Sequence, residues 1–419
     1  MFISIADITP FSYKALLILI ILSLFILLSI FFLLIFKEPS LSLAFIIYSL
    51  WIVIYEPAIC DIFASIAMLA FILNIFAQKT QLYKITFPDF MFIMFLIINI
   101  NNIFFTNVTA YSFKHFLITL YLIGFYFLVS YLADSYEKIH KIFNFYYIPV
   151  LITSVTMIFG FVIIYYFPSN FDFLRNLIVL GNRPKGFFKD PNVAGPFIIP
   201  VIVYSILKIL NIKQKHLLIL IFFLSISIVG VFLSFSRGAI ITMTISIILS
   251  IIFSINRRNI IKISIFTIFI LSFILIFIHY TPYSAQSSRI YNKDYGVESR
   301  IKKLNIGLQF IKENPLLGVG MIGIEKNEEP HDSYFLILKR TGIIGAICFW
   351  SAIFYLLIKL MISSFKISNI NNKIIPLTLT ISLFSIMISG VAVSFLHWRH
   401  FWLISGLAMA TVRISEIDK

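Results

Sequence analysis

Apolar residues fall in blocks near 14–36, 40–55, 58–77, 88–106, 112–132, 146–167, 195–210, 216–233, 238–255, 260–280, 334–361, 374–393 and 398–412, with short polar connections between them. A helix needs about 20 apolar residues to cross roughly 30 Å of hydrocarbon. Most blocks reach that length, and the shorter ones can be half-helices, so the pattern predicts an all-α polytopic membrane protein of about 12–13 transmembrane helices. The block 14–36 lacks a nearby small-residue cleavage site and is too long for a removed signal peptide, which predicts a retained helix. One segment has a different rhythm. Ser299 can cap a helix, Ile301, Leu304, Leu308 and Ile311 recur at helical spacing, and Pro315 stops the run. This predicts a helix over 299–313 that either lies amphipathically on the membrane or over a cavity, or simply faces solvent.

Composition agrees. Of 419 residues, 60% are hydrophobic and 12% charged, against about a quarter charged in soluble domains. The net charge of +15 does not indicate nucleic acid, because the basic residues are scattered through short loops and form no aromatic-rich basic domain. Membrane topology accounts for them better. Lys79 and Lys84, Lys138 and Lys141, Lys213 and Lys215, the Arg257, Arg258 and Lys262 group, and Lys366 and Lys373 occupy alternate loops, which places those loops and the C-terminal tail in the cytoplasm. The other set, 167–195, 234–238, the long 281–332 segment and 397–400, then faces outside; the side of the N-terminus stays open. Residues 1–419 read as a single integral membrane domain, with 281–332 as a large periplasmic segment before the last spans. Cys60 and Cys348 both lie in apolar stretches and suggest neither a disulfide framework nor a thiolate metal site.

Chemistry concentrates in the outer loops. Arg175, Arg183, Lys185 and Lys189 outnumber Asp172 and Asp190 on a side where positive charge is normally depleted. An anionic ligand explains the excess, since guanidinium groups pair with phosphate oxygens; lipid headgroup contact is the alternative. Arg237, in the short Ser234–Gly238 turn, should face a cavity or an anion unless it snorkels to the headgroups. Arg300 opens the predicted 299–313 helix, where a cation opposes the helix dipole, so it is a third candidate for a phosphate. His331 stands where the outer segment re-enters the membrane, and can be structural or take a proton from an attacking sugar hydroxyl. His397, Trp398, Arg399 and His400 could suggest a metal pair, but read better as a belt of aromatic and basic residues at the membrane interface. Asp61, in an early span, and Glu56, in a loop, offer a thin foothold for a proton path. A paired-aspartate metal site for a nucleotide-sugar donor, a phosphate-binding loop of the Walker type and a serine-nucleophile elbow are all missing. No cofactor and no metal are expected.

These residues stand in a pattern that resembles the O-antigen ligase and polymerase superfamily of bacterial surface-polysaccharide enzymes. The resemblance is carried by Arg183-Pro184-Lys185-Gly186-Phe187-Phe188-Lys189-Asp190-Pro191-Asn192, by Ser236-Arg237-Gly238, and by Arg300 followed by Glu313-Asn314-Pro315-Leu316-Leu317-Gly318-Val319-Gly320. It continues through His331-Asp332-Ser333-Tyr334, Arg340-Thr341-Gly342-Ile343-Ile344-Gly345 and Phe401-Trp402, and spans roughly residues 170–412. It implies a GT-C-like membrane glycosyltransferase of the bacterial inner membrane, metal-independent and inverting. The donor would be a glycan on undecaprenyl diphosphate. By the same resemblance Arg183, Arg237 and Arg300, with Lys185 beside them, would bind the diphosphate, and His331 would orient or deprotonate the acceptor hydroxyl. The acceptor would be lipid A-core in a ligase or a second lipid-linked glycan in an O-antigen or exopolysaccharide polymerase, with a slight lean to the ligase. A transporter or flippase of lipid-linked glycans is the reading of another class, but it would want charges along the depth of a path, whereas here they gather at one face. Two features depart from the family: Asp332 stands where the family often has Asn or Ser, and an extra span lies near the N-terminus.

Overall fold

A computed structural model describes residues 40–77, 84–104, 110–167, 172–211, 217–254, 305–320 and 332–417. Two predicted spans, 14–36 and 260–280, lie outside the described residues, as do Arg300 and His331. Among the described residues the regular elements are helices and one minimal hairpin. The helices are α1 (Ser40–Ser49), α2 (Ile59–Phe76), α3 (Phe87–Phe104), α4 (Ala110–Leu132), α5 (Tyr136–Tyr166) and α6 (Asp172–Ile178). After the hairpin β1 (Val179–Leu180) and β2 (Arg183–Pro184) come α7 (Pro191–Asn211), α8 (Leu217–Leu233) and α9 (Arg237–Ser254). A short helix α10 covers 305–313, followed by α11 (Ser333–Lys366), α12 (Ile370–Gly390) and α13 (Arg399–Ile417). Among the described residues, seven helices are long and apolar enough to cross a membrane. This is an all-α multi-pass membrane protein.

Three elements differ from the pattern in the sequence. The apolar block 40–55 yields only the ten-residue α1, about 15 Å long at 1.5 Å per residue and half a bilayer crossing. By contrast α5 runs back through the predicted loop at Lys138 and Lys141, because Ser135 caps it by accepting from the Lys138 N–H. In α10 the expected apolar stripe is only partly inward. Leu308 is exposed and Gly307 buried, and the helix meets α11 through Phe310, whose ring lies 4.8 Å from Lys339 Nζ.

At the centre stands α7, in which almost every residue from Ala194 to Leu210 is buried. A helix apolar on all sides is stable when other helices surround it, and α5, α8, α9 and α12 do so here. A second group, α3, α4, α11 and α13, joins the first through α12. Between α9 and α12 the contact is partly polar: Thr242 and Ser389 hydroxyls lie 3.1 Å apart, and Ser246 bonds to Ser385, the small-residue packing common inside lipid. Two Arg–Asp pairs fix α13 at both ends. Arg399 reaches Asp61 of α2, and Arg413 reaches the fully buried Asp89 of α3, which also accepts from Tyr126 and Thr86.

These contacts bring several connections together. The 50–58, 179–193, 234–238 and 391–398 segments meet at one end. Asp89, Ser130 and Arg413 meet elsewhere, and His140 of α5 contacts the Asn371 carbonyl at the start of α12. Of the loops whose charges set the expected alternation, those with Lys79, Lys213, Lys215, Arg257, Arg258 and Lys262 lie outside the described residues.

Candidate functional site

The site begins with the loop after α6. The strands β1 and β2 pair antiparallel around Gly181-Asn182, and the Lys185 N–H extends the ladder to the Ile178 carbonyl at 2.8 Å. The loop then anchors to 50–58: the Val53 N–H donates to Phe187 at 2.9 Å, and Trp51 packs edge-on against the Phe187 ring. Asp190 and Pro191 start α7 as a cap and first-turn proline, with the Asn192 N–H donating to Asp190 Oδ1 at 2.8 Å. The Asn192 side chain is thereby fixed and accepts from Arg183 Nη2 at 2.9 Å. The stretch from Arg183 to Asn192 works as one unit whose last residue aims its first.

Arg183 points at the turn between α8 and α9. Its Nε and Nη2 donate to the Ser234 carbonyl at 3.2 and 3.0 Å. That turn is strained, since Phe235 holds a φ of +49° without being glycine, a conformation costing on the order of 1–3 kcal/mol. Ser236 caps α9 through its hydroxyl, which leaves Arg237 as the first helical residue, exposed. An exposed guanidinium beside the amide-rich start of an 18-residue helix is an arrangement suited to an anion. Lys185 is 9% exposed, and burial pushes its ammonium below the usual lysine range.

The turn also touches the segment between α12 and α13. A side chain added at Gly238 would meet Ala392 at van der Waals distance. From there the chain contacts the start of α11: Ser333 donates to the Val393 carbonyl at 3.2 Å and accepts from the Phe395 N–H at 2.9 Å. Asp332 caps α11 by accepting from the Tyr334 and Phe335 N–H groups at 2.7 and 3.2 Å. Burial raises its carboxyl above the usual range, and those two bonds only partly offset the rise. The structure thus brings Arg183, Lys185 and Arg237 to one end of the bundle, next to the helix start that follows His331 in sequence.

Behind that helix start the chain breaks. Within α11, Gly342 has φ +62° and ψ −169°, which divides the helix into a short first part and a long second part. The opened backbone groups are satisfied by 315–320. Ile343 and Ile344 donate to Pro315 and Leu316 at 2.8 and 3.2 Å, while Lys339 and Arg340 carbonyls accept from Val319 and Gly320 at 2.9 and 3.0 Å. The approach at Gly342 is so close that a Cβ there would overlap the Leu316 carbonyl. Two motifs read separately in the sequence, Pro315–Gly320 and Arg340–Gly345, are therefore one structural device.

The 394–400 stretch turns inward, not toward lipid as an interfacial belt would. Trp398 is 5% and His400 2% exposed. Together with Arg340, His397 and Arg399 they line a cavity of about 210 Å³ between 50–56, 188–197 and the first part of α11. Burial, then the Arg340, His115 and Arg399 charges, hold His397 well below the usual histidine range. The carboxylates are accounted for. Burial raises Glu56, but Lys189, 2.8 Å away, more than offsets this and keeps it ionised. Asp61 is held by Arg399, which leaves little for a proton path. Sequence reading missed this cavity because its walls come from segments hundreds of residues apart.

The fold defines a multi-pass helical membrane protein with a cationic site at one end. Residues 221–350 match the family described as O-antigen ligase. The match supports a place in the O-antigen ligase superfamily, and that family implies a glycosyltransferase-like membrane enzyme of ligase or polymerase type. It covers the Arg237 turn and both halves of the Gly342 device. No curated protein matches the chain.

Proposed function

We propose that the chain transfers a glycan from undecaprenyl diphosphate to lipid A-core at the periplasmic face of the bacterial inner membrane, as an O-antigen ligase. The observation that carries this reading is the docking of Arg183 on the Ser234 carbonyl, which couples it to Arg237 and, through the 392–395 segment, to the start of α11. Arg237 and the amide groups opening α9 would bind the diphosphate, with Lys185 and Arg300 adding charge. Arg183 would both contribute charge and hold the Ser234 turn in place.

The chemistry follows from the leaving group. The acceptor hydroxyl oxygen attacks the anomeric carbon from the side opposite the carrier, and the bond from that carbon to the diphosphate oxygen breaks with its electron pair. Configuration inverts. A diphosphate leaves without protonation, so preorganised cations in a low-dielectric site supply the stabilisation needed. The hydroxyl proton passes to His331, two residues before Ser333. A general base contributes on the order of 10²–10⁴-fold.

The test uses purified full-length protein in lipid nanodiscs, with a carrier-linked glycan and a lipid A-core acceptor. His331→Ala and Arg237→Gln should each lower transfer by about 10²-fold or more. Undiminished transfer by H331A would remove the base from the mechanism. Absence of transfer by the wild type with lipid A-core or a second carrier-linked glycan would favour transport.

A further inference from the structure

The hairpin β1–β2 leans on the flank of α5. A Cβ added at Gly160 would lie 3.3 Å from Pro184 and 3.5 Å from Val179, and one added at Gly186 would lie 3.0 Å from the Thr156 hydroxyl. Ile178 and Val179 form a small core with Ile163 and Ile164, apart from the main one. The Ser234 turn lies alongside as well, with the Phe235 ring 6.2 Å from that of Phe161. Gly160 precedes the end of α5 at Tyr166 by six residues, which at 1.5 Å per residue puts it about 9 Å below that end. The hairpin that follows α5 is thus found beside the helix and not beyond its end.

The other end of α5 fixes where the bilayer lies. Glu137 and Lys141 pair in the open at its start, Asn144 is exposed one turn later, and no charged residue follows in the helix. About 20 residues cross the hydrocarbon. A crossing that begins after Asn144 therefore ends near Ile164, under the aromatic run Tyr165, Tyr166 and Phe167, the kind of belt found at membrane interfaces. Exposed Ile148, Val155, Phe159 and Tyr166 recur on one helical face over that length, which is the stripe a lipid-facing flank shows. Val179 and Pro184, level with Gly160, lie on the hydrocarbon side of the belt.

Non-helical backbone persists at that depth only where its polar groups are satisfied. Here β1 and β2 pair with each other, the Lys185 N–H donates to Ile178, and the Phe187 carbonyl accepts from Val53. The outward side is apolar: Phe173 of α6 is 78% and Leu180 of β1 49% exposed, surface that gains by leaving water. Leu180 and Arg183 are cross-strand partners, which puts their Cβ atoms about 5 Å apart on one face of the ribbon. The depth of one is close to the depth of the other. An arginine below the belt is costly unless its donors are engaged, and Arg183 donates to the Ser234 carbonyl and to Asn192.

We propose that α6 and the hairpin form a re-entrant element in the acyl region of the leaflet at this end, with Phe173 and Leu180 against lipid chains, and that Arg183 thereby sits below the aromatic belt. The assignment concerns depth and lipid contact, and it does not depend on glycan transfer.

Depth is measured by power-saturation EPR on the full-length Cys348→Ser protein in phosphatidylcholine nanodiscs, with one nitroxide-labelled cysteine at a time; Cys60, 1% exposed, stays unlabelled. Oxygen dissolves in hydrocarbon, whereas a neutral nickel chelate is polar and stays in water. Phe159→Cys and Glu137→Cys mark lipid and water on α5 itself. Phe173→Cys and Leu180→Cys should each give an oxygen-to-nickel accessibility ratio at least tenfold that of Glu137→Cys, and Leu180→Cys a higher ratio than Tyr166→Cys. The two sites are separate proteins, so one that misfolds leaves the other to decide. A ratio like that of Glu137→Cys places the patch in water, and low collision rates with both reagents mean that protein covers it; either result overturns the re-entrant element. A label at Leu180 shallower than the one at Tyr166 overturns the placement of Arg183 below the belt.

Discussion

Arg399 grips Asp61 with two donors, Nε to Oδ1 at 2.8 Å and Nη2 to Oδ2 at 2.6 Å, across a sequence separation of 338 residues. The side chains are 11% and 10% exposed, so water screens them little. Breaking such a pair from one side leaves an uncompensated buried charge, at a cost of about 3–5 kcal/mol. Asp61→Asn and Arg399→Gln should each lower the thermal midpoint of the purified protein sharply. The double replacement should cost less than the sum of the two, and strict additivity would mean the pair is not coupled.

Gly342 should be the least replaceable glycine among the described residues. Alanine there meets both an unfavourable φ and the Leu316 carbonyl, and the strain alone is on the order of 1–3 kcal/mol. Gly181 offers the control, with a φ of +60° but open space around its missing side chain. Gly181→Ala should cost about 1 kcal/mol and leave transfer intact. Gly342→Ala should abolish both stable expression and transfer. Equal effects of the two changes would show that crowding at the break is unimportant.

At Asp332, a cap need not be an acid. Asparagine can accept the same two N–H bonds, and burial disfavours the ionised carboxylate. Asp332→Asn should therefore unfold no earlier than the wild type at neutral pH. Asp332→Ala should lose about 1 kcal/mol. If the two unfold alike, capping is not what the side chain does. The same reasoning explains why Asn or Ser serves at this position in the family that the chain resembles.

His397 predicts a pH dependence. Its imidazole is held neutral in the fold, whereas the unfolded chain takes up the proton near pH 6.5. The unfolded state binds more protons as pH falls through that value, so stability present above it is lost below it. The midpoint should drop as pH goes from about 7 to 5, and His397→Gln should flatten the curve. A drop of the same size in H397Q would assign the dependence to other groups.

Arg183→Lys separates charge from geometry. Lysine keeps the positive charge but cannot offer two adjacent donors to the Ser234 carbonyl while also holding Asn192. Transfer should fall by at least about tenfold in R183K and further in R183Q. Wild-type activity in R183K would reduce the residue to a charge.

What the sequence revealed depended on what lipid demands. Spans were legible because hydrocarbon forces long apolar runs. The Arg183 loop could be picked out by its surplus charge, but not the way Asn192 aims the arginine, which depends on a cap at Asp190. Residues 334–361 read as one span because a glycine inside an apolar run carries no mark of a left-handed φ. His397 and His400 looked like interfacial residues, since a mixed aromatic and basic run does not say which way it faces. Their burial comes from Phe197 and Trp398 as neighbours and from α13 being drawn inward at both ends by Asp61 and Asp89.

The ladder between 315–320 and the break in α11 is made of main-chain atoms. Leu316 and Leu317 project outward, 61% and 41% exposed, and take no side-chain part in it. Such a joint stores its instructions in backbone shape, so nearly any apolar side chains can be exchanged around it provided Gly318 and Gly342 stay.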